Sequence, residues 1–169
     1  MENFPQVAEL KKRPDFLTVL CILTFLGSGL GIFNNLTKYV NSDVISSFAK
    51  EAIDESKEKV DSEASTEAGK KLADKLLSGA SELTNPVKLK QNYLLSIISN
   101  VITLLGAFLM FRLKKIGYWT YVAGIVVLVA TPLIIFGAGN ILSLGMTLGF
   151  GFVGILFIVL YSLNLKHLA

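Results

Sequence analysis

The sequence predicts an all-α integral membrane protein: a four-helix bundle of membrane spans, with a helical extracytoplasmic insertion between spans one and two. Three observations carry that prediction. Uncharged, predominantly apolar runs of 19 to 22 residues occupy 16–37, 93–111, 118–138 and 143–163, and about 20 such residues suffice for a helix to cross a bilayer. Charged residues are 17% of the chain, against roughly a quarter in soluble domains, and all 13 acids precede Leu83. Three basic clusters, Lys11-Lys12-Arg13, Arg112-Leu113-Lys114-Lys115 and Lys166-His167, stand at span ends expected to face one side.

The elements follow in order. Residues 1–15 read as a cytoplasmic N-terminus. Span one, 16–37, follows Pro14 and Asp15, with Pro suited to a first helical turn and Asp to an N-cap. The start is basic and then apolar, as in a signal peptide. The run is longer than an h-region and no small-x-small cleavage site follows it, so it reads as an uncleaved signal anchor. Residues 38–92 read as the extracytoplasmic loop. Within it Ile45, Phe48, Ala52 and Ile53 repeat at helical spacing, as do Leu72, Leu76, Ala80 and Leu83. The polar stretch 61–67 separates these two amphipathic pieces. Span two is 93–111; Asn85-Pro86 offers its helix an earlier, capped start, and Gly117 reads as its stop. After the basic turn 112–117, the 50 residues from Ile116 to Leu165 carry no Lys, Arg, Asp, Glu or His. One helix of that length would measure ~75 Å, so the chain must turn back across a ~30 Å hydrocarbon core. Thr131-Pro132 and Gly137-Ala138-Gly139-Asn140 are the strong punctuation. They give span three at 118–138, a short outer turn at 139–142, span four at 143–163 and a cytoplasmic C-terminus at 164–169. Pro132 is expected to kink span three, with neighbouring helices satisfying the carbonyl it frees.

Counting lysines and arginines does not settle orientation. The 38–92 loop holds nine and the three clusters hold seven. The seven lie flush with the spans in short segments, whereas the loop's nine are diluted among ten acids. The positive-inside rule therefore favours N-in, C-in. Tyr118, Trp119, Tyr121 and Tyr161 are expected to form the inner aromatic belt, and Tyr39 and Tyr93 the outer one.

Chemistry-bearing motifs are sparse. A net charge of +3 does not point to nucleic acid, and a single cysteine, Cys21, excludes an internal disulfide. The spans hold no ionisable side chain of the kind that ion-coupled transporters and proton relays place in the membrane. His167 reads as a surface histidine, and no nucleophile has a base beside it. No catalytic residue, cofactor or metal is expected. The polar groups that are present follow helical periods. Cys21, Thr24, Ser28, Gly31 and Asn35 share one face of span one; Ser96, Ser99, Asn100, Thr103, Ala107 and Met110 share one face of span two. Such faces associate helices in lipid, so Thr24, Ser28, Gly31, Asn35, Ser96, Asn100 and Thr103 are packing candidates. Span four carries Gly145-x-x-x-Gly149, then Gly151 and Gly154, which cannot share one narrow stripe, so it offers small residues to more than one neighbour. On the loop, Ile45, Phe48, Leu72 and Leu76 are docking candidates, because these stripes cannot bury themselves in a core of their own.

The segment from Arg13-Pro14-Asp15-Phe16 through Phe25-Leu26-Gly27-Ser28-Gly29, together with Lys114-Lys115-Ile116-Gly117-Tyr118-Trp119, resembles a family of small four-span membrane proteins of Bacteroidota-type bacteria. The likeness covers about a quarter of the chain. It implies a four-span topology in a bacterial inner (cytoplasmic) membrane and no particular chemistry. The leading expectation is a non-enzymatic accessory or scaffold subunit that binds membrane lipid around it and a larger membrane complex or its own copies. The alternative is an oligomeric channel or lipid-handling protein lined by the polar face of span two.

Overall fold

The computed structural model describes residues 13–63 and 66–168. Lys11 and Lys12 of the first basic cluster, and residues 64–65 of the polar stretch, lie outside the described residues. Six α-helices follow in order: α1 Asp15–Val40, α2 Ser42–Glu63, α3 Glu67–Leu83, α4 Pro86–Phe111, α5 Ile116–Phe136 and α6 Ile141–Ser162. A short 3-10 turn, Leu165–His167, follows α6. Four of them (α1, α4, α5 and α6) are long and apolar enough to cross a membrane, with a mean hydropathy of 2.2 over their best windows. At 1.5 Å per residue the 26 residues of α1 and of α4 reach about 39 Å, more than a hydrocarbon core requires. The chain is accordingly a multi-pass membrane protein by length and composition.

Helix ends follow local chemistry. Asn85 caps α4, its Oδ1 accepting from Val87 N at 3.0 Å and Lys88 N at 3.3 Å, with Pro86 as the first helical residue. Asn140 caps α6 in the same way through Leu142 N and Ser143 N. At α1 the expected roles are exchanged. Pro14 is the N-cap residue and Asp15 lies in the first turn, where its carboxylate meets the positive end of the helix dipole.

Gly117 does not stop the helix of span two. It is the second residue of α5, and the stop comes earlier. Leu113 adopts a φ of 60°; its N–H bonds Met110 O, while Lys114 N–H bonds Leu109 O. This pair of bonds is a Schellman motif with leucine where glycine is favoured. Leu113 packs against the core, which offsets part of the left-handed strain. Span three therefore begins two residues before 118 and ends at Phe136, where Gly137 takes a φ of 87°. Pro132 sits fully buried inside α5, and the helix continues through it.

α4 packs most extensively against α5 and also against α1, and α5 carries α6. α1 and α6 touch each other only sparingly. The α4–α5 contact is backbone to backbone. A Cβ at Gly106 would stand 2.5 Å from Tyr121 N; one at Gly117 would stand 2.5 Å from Met110 N. At Gly124 a Cβ would meet Thr103 Cγ2 at 2.6 Å, and Ser99 Oγ donates to the Gly124 carbonyl at 2.7 Å.

The apolar core gathers at the end of these helices that carries the basic linker. Leu17, Leu20, Cys21, Met110, Tyr118, Tyr121, Ile125, Tyr161 and Leu168 form it. Arg13 lies 3.6 Å over the Phe111 ring and Phe111 meets Phe25 edge-on, so Arg13 comes close to the start of the 112–115 linker. The expected inner aromatic belt is corrected. Trp119 is exposed, but Tyr118, Tyr121 and Tyr161 are buried among the helices. Tyr161 keeps its hydroxyl satisfied there, 2.7 Å from Thr24 Oγ1, so burying the ring leaves no unpaired polar group.

α2 and α3 sit at the opposite end. Ser46 Oγ donates to the Thr84 carbonyl. Lys90 Nζ lies 2.8 Å from Asp43 Oδ2; this exposed pair contributes little. Asn140 is the main tie. While its Oδ1 caps α6, its Nδ2 donates to Gly79 O at 2.9 Å, and Gly79 is buried against it. Replacing Asn140 with alanine removes a cap and orphans a carbonyl, a loss of about 2 kcal/mol to be read as a lower unfolding midpoint in mixed micelles. Asn140→Asp keeps the cap but sets a carboxylate against Gly79 O and Glu82. It is expected to leave α6 helicity intact while trypsin cleaves faster at Lys75.

Candidate functional site

The polar faces of α1 and α4 divide between neighbours. Ser28 Oγ and Thr103 Oγ1 are 3.0 Å apart. Because Thr103 donates to Asn100 O, Ser28 is the donor. Gly31 lies against the Asn100 carboxamide, where a Cβ would be 2.7 Å from its Oδ1. These contacts set Ser28 and Gly31 against Thr103 and Asn100. Thr24 instead reaches α6 through Tyr161, and Ser99 reaches α5. Asn35 donates to Gly31 O in its own helix, and Asn100 donates to Ser96 O in its own. Ser96 is buried.

α6 presents three faces. Ser143 is buried, Thr147 Oγ1 donates to Val129 O, and Gly154 abuts Ile125; these residues mark the side toward α5. Met146, Phe150, Val153 and Phe157 recur at helical spacing along the side that looks toward α1. Gly145 and Gly149 fall on the remaining side, at 100° per residue opposite Thr147, and no atom lies within 4 Å of where their Cβ atoms would be. Only 11% of the best apolar window of α6 is buried, against 28% to 33% in the other three.

α1 and α6 converge at the linker end and part toward the insertion end. Between them lies a cavity of about 450 Å³ lined from α1, α4, α5 and α6, with Leu83 of α3 above it. A smaller one of about 220 Å³ continues along the same seam and shares Asn100 and Leu128 with it. Sequence reasoning missed this cleft. Its one signal was the pair Asn34-Asn35 near the end of an apolar run, together with Asn92 and Asn100 on the next.

The loop candidates are split. Ile45 is half-buried, but Phe48 and Leu72 are 69% and 55% exposed and Leu76 is also exposed. The inward side of α2 carries Ser42 and Ser46, and that of α3 carries Gly79 with half-buried Ala73, Leu77 and Ala80. The helices approach through small residues, which turns the larger apolar ones outward.

Comparison with protein-family models, curated proteins and solved structures gave no match. The side chains are therefore the whole basis for function. Among the described residues, no three His, Cys, Asp or Glu side chains converge so as to hold a metal ion.

Proposed function

We propose that the chain is a non-enzymatic accessory or scaffold subunit. Its four apolar helices form one bundle in a bacterial inner membrane, and it binds a larger membrane complex or its own copies through the free side of α6. The observation that carries this reading is the Gly145-x-x-x-Gly149 side of α6, where no other helix among the described residues comes within 4 Å of either Cβ position. Small residues in lipid let a second backbone approach closely. Exposed Phe48, Leu72 and Leu76 on α2 and α3 support a second contact outside the membrane. The channel reading is less well supported, because Thr103 and Asn100 are partly taken up by Ser28 and Gly31 of the same chain.

Mild-detergent purification from native membranes tests the proposal; a monomer that brings no companion overturns it. The proposed orientation is N-in, C-in, with α2 and α3 extracytoplasmic. Cys21 is buried, so the introduced thiol in Ser56→Cys and in Lys114→Cys is the one that labels. An impermeant maleimide is expected to label Ser56→Cys on intact cells and Lys114→Cys only after lysis. The reverse pattern would invert the topology.

A further inference from the structure

We infer that the cleft between α1 and α6 is a binding site for one anionic phospholipid whose headgroup carries a hydroxyl. This inference rests on the four apolar helices being membrane spans and is independent of the scaffold reading.

The cleft has the polarity gradient of a lipid molecule. Its insertion end holds Lys38, Asn34, Asn35 and Asn92, Asn100 lies deeper where the two cavities join, and no acid among the described residues lines it. Asn34 and Lys38 are exposed at its rim on α1, and Met146 and Phe150 are exposed at its rim on α6. Toward the linker end Leu23, Gly27, Leu128, Val153 and Phe157 line the smaller cavity; Thr24, Ser28 and Thr103 line it too, but their hydroxyls are already paired within the chain. Nothing lies within 4 Å of a Cβ at Gly27, so a chain can lie along α1 there. A headgroup at the interface and an acyl chain running toward mid-bilayer would match both halves.

The polar end also has unmet bonding capacity. Lys38 makes no ion pair among the described residues, while Asp43 nearby is held by Lys90. Asn92 Oδ1 is buried without a hydrogen-bond partner, and a buried acceptor left so is costly. A lysine in the last turn of a helix has a dipole reason to be there, and Asn35 and Asn100 donate within their own helices, but neither accounts for Asn34 on α1 and Asn92 on α4 lining the same cleft. Phosphate suits Lys38 and the amide donor of Asn34; rotation of the Asn92 carboxamide into the cleft would bring its buried Oδ1 to a headgroup hydroxyl. Choline offers no donor. The larger cavity's ~450 Å³ is within the range of ligand pockets and takes the headgroup and glycerol region, with the chains leaving sideways between α1 and α6.

The test uses the full chain in bilayers of equal phosphatidylglycerol and phosphatidylcholine, released into mild detergent and weighed by native mass spectrometry. One retained phosphatidylglycerol is expected, preferred over phosphatidylcholine about fivefold, the scale of one lysine against an anionic surface. Lys38→Ala should bring the preference to about one, and Gly27→Leu should lower retention of both lipids by filling the chain's path. Val153→Phe does the same from α6 and stands in should Gly27→Leu fail to keep its helicity. Lys88→Ala, outside the cleft, should change neither. No retained lipid, a preference that survives Lys38→Ala, or a doubled protein mass without lipid (a second copy in the cleft) would each overturn the inference. Association through α6 leaves the lipid count per chain unchanged, so the two proposals fail separately.

Discussion

Gly117→Ala and Gly106→Ala are expected to be the most damaging single-methyl changes in the chain, each lowering stability by about 3 kcal/mol, the upper part of the overpacking range. A Cβ at Gly117 would lie 2.5 Å from Met110 N and 2.6 Å from Gly106 O; at Gly106 it would lie 2.5 Å from Tyr121 N and 2.7 Å from Tyr121 Cα. Carbon contacts are comfortable at about 3.5–4.0 Å, so α4 and α5 must part by about 1 Å. The clashing atoms are mainly backbone, so no rotamer change relieves them. Separation also loosens the neighbouring Ser99–Gly124 hydrogen bond. Gly29 on α1 is the control. Nothing lies within 4 Å of its Cβ position, and Gly29→Ala should shift stability by no more than about 0.5 kcal/mol. Unfolding midpoints in mixed micelles decide the matter; equal midpoints for Gly117→Ala and Gly29→Ala would show that the close approach of α4 and α5 contributes nothing.

Gly149→Leu is expected to have the largest effect on association, weakening it at least about tenfold, or ~1.4 kcal/mol, while leaving the monomer's stability unchanged. The side chain would project where no neighbouring element among the described residues lies within 4 Å, so their packing has nothing to lose. A second helix seated on that face would be pushed away. Gly154→Ala makes the opposite prediction. Its Cβ would lie 2.5 Å from Ile125 Cγ2, a branched group with little room to turn, so the cost falls on α5–α6 packing and the monomer itself becomes less stable. Sedimentation in density-matched detergent, beside the unfolding midpoints, separates the two. Were Gly149→Leu to destabilise the monomer and leave its association state alone, the face would be internal after all.

Much of the fold was legible because hydropathy is local. Apolar runs marked the four long helices. Asn85-Pro86 announced the start of α4, because an amide cap followed by proline is chemically complete without tertiary partners. Apolar residues repeating at helical spacing marked α2 and α3. Other features were not legible for identifiable reasons. Gly117 reads as a terminator by composition, yet it enters α5 because Leu113 takes the left-handed turn that glycine usually takes. Tyr118, Tyr121 and Tyr161 read as belt residues because a tyrosine near a span end suits an interface. The burial of Tyr161 is matched by Thr24, which meets its hydroxyl across 137 positions of sequence.

The sequence by itself determined four helices long and apolar enough to cross a membrane, a helical insertion between the first two, and short basic segments near the ends of the apolar runs. Those properties follow from transfer free energies summed residue by residue along the chain. The tertiary structure alone decided which small and polar residues meet. It put Gly106 and Gly117 into the α4–α5 contact, left Gly145 and Gly149 outside, and opened the cleft beneath Leu83. The physical reason is that lipid is as apolar as a leucine side chain. Hydrophobicity therefore brings a helix into the bilayer without choosing its neighbour. The choice falls to close packing and hydrogen bonds, which depend on how each helix is rotated against the next.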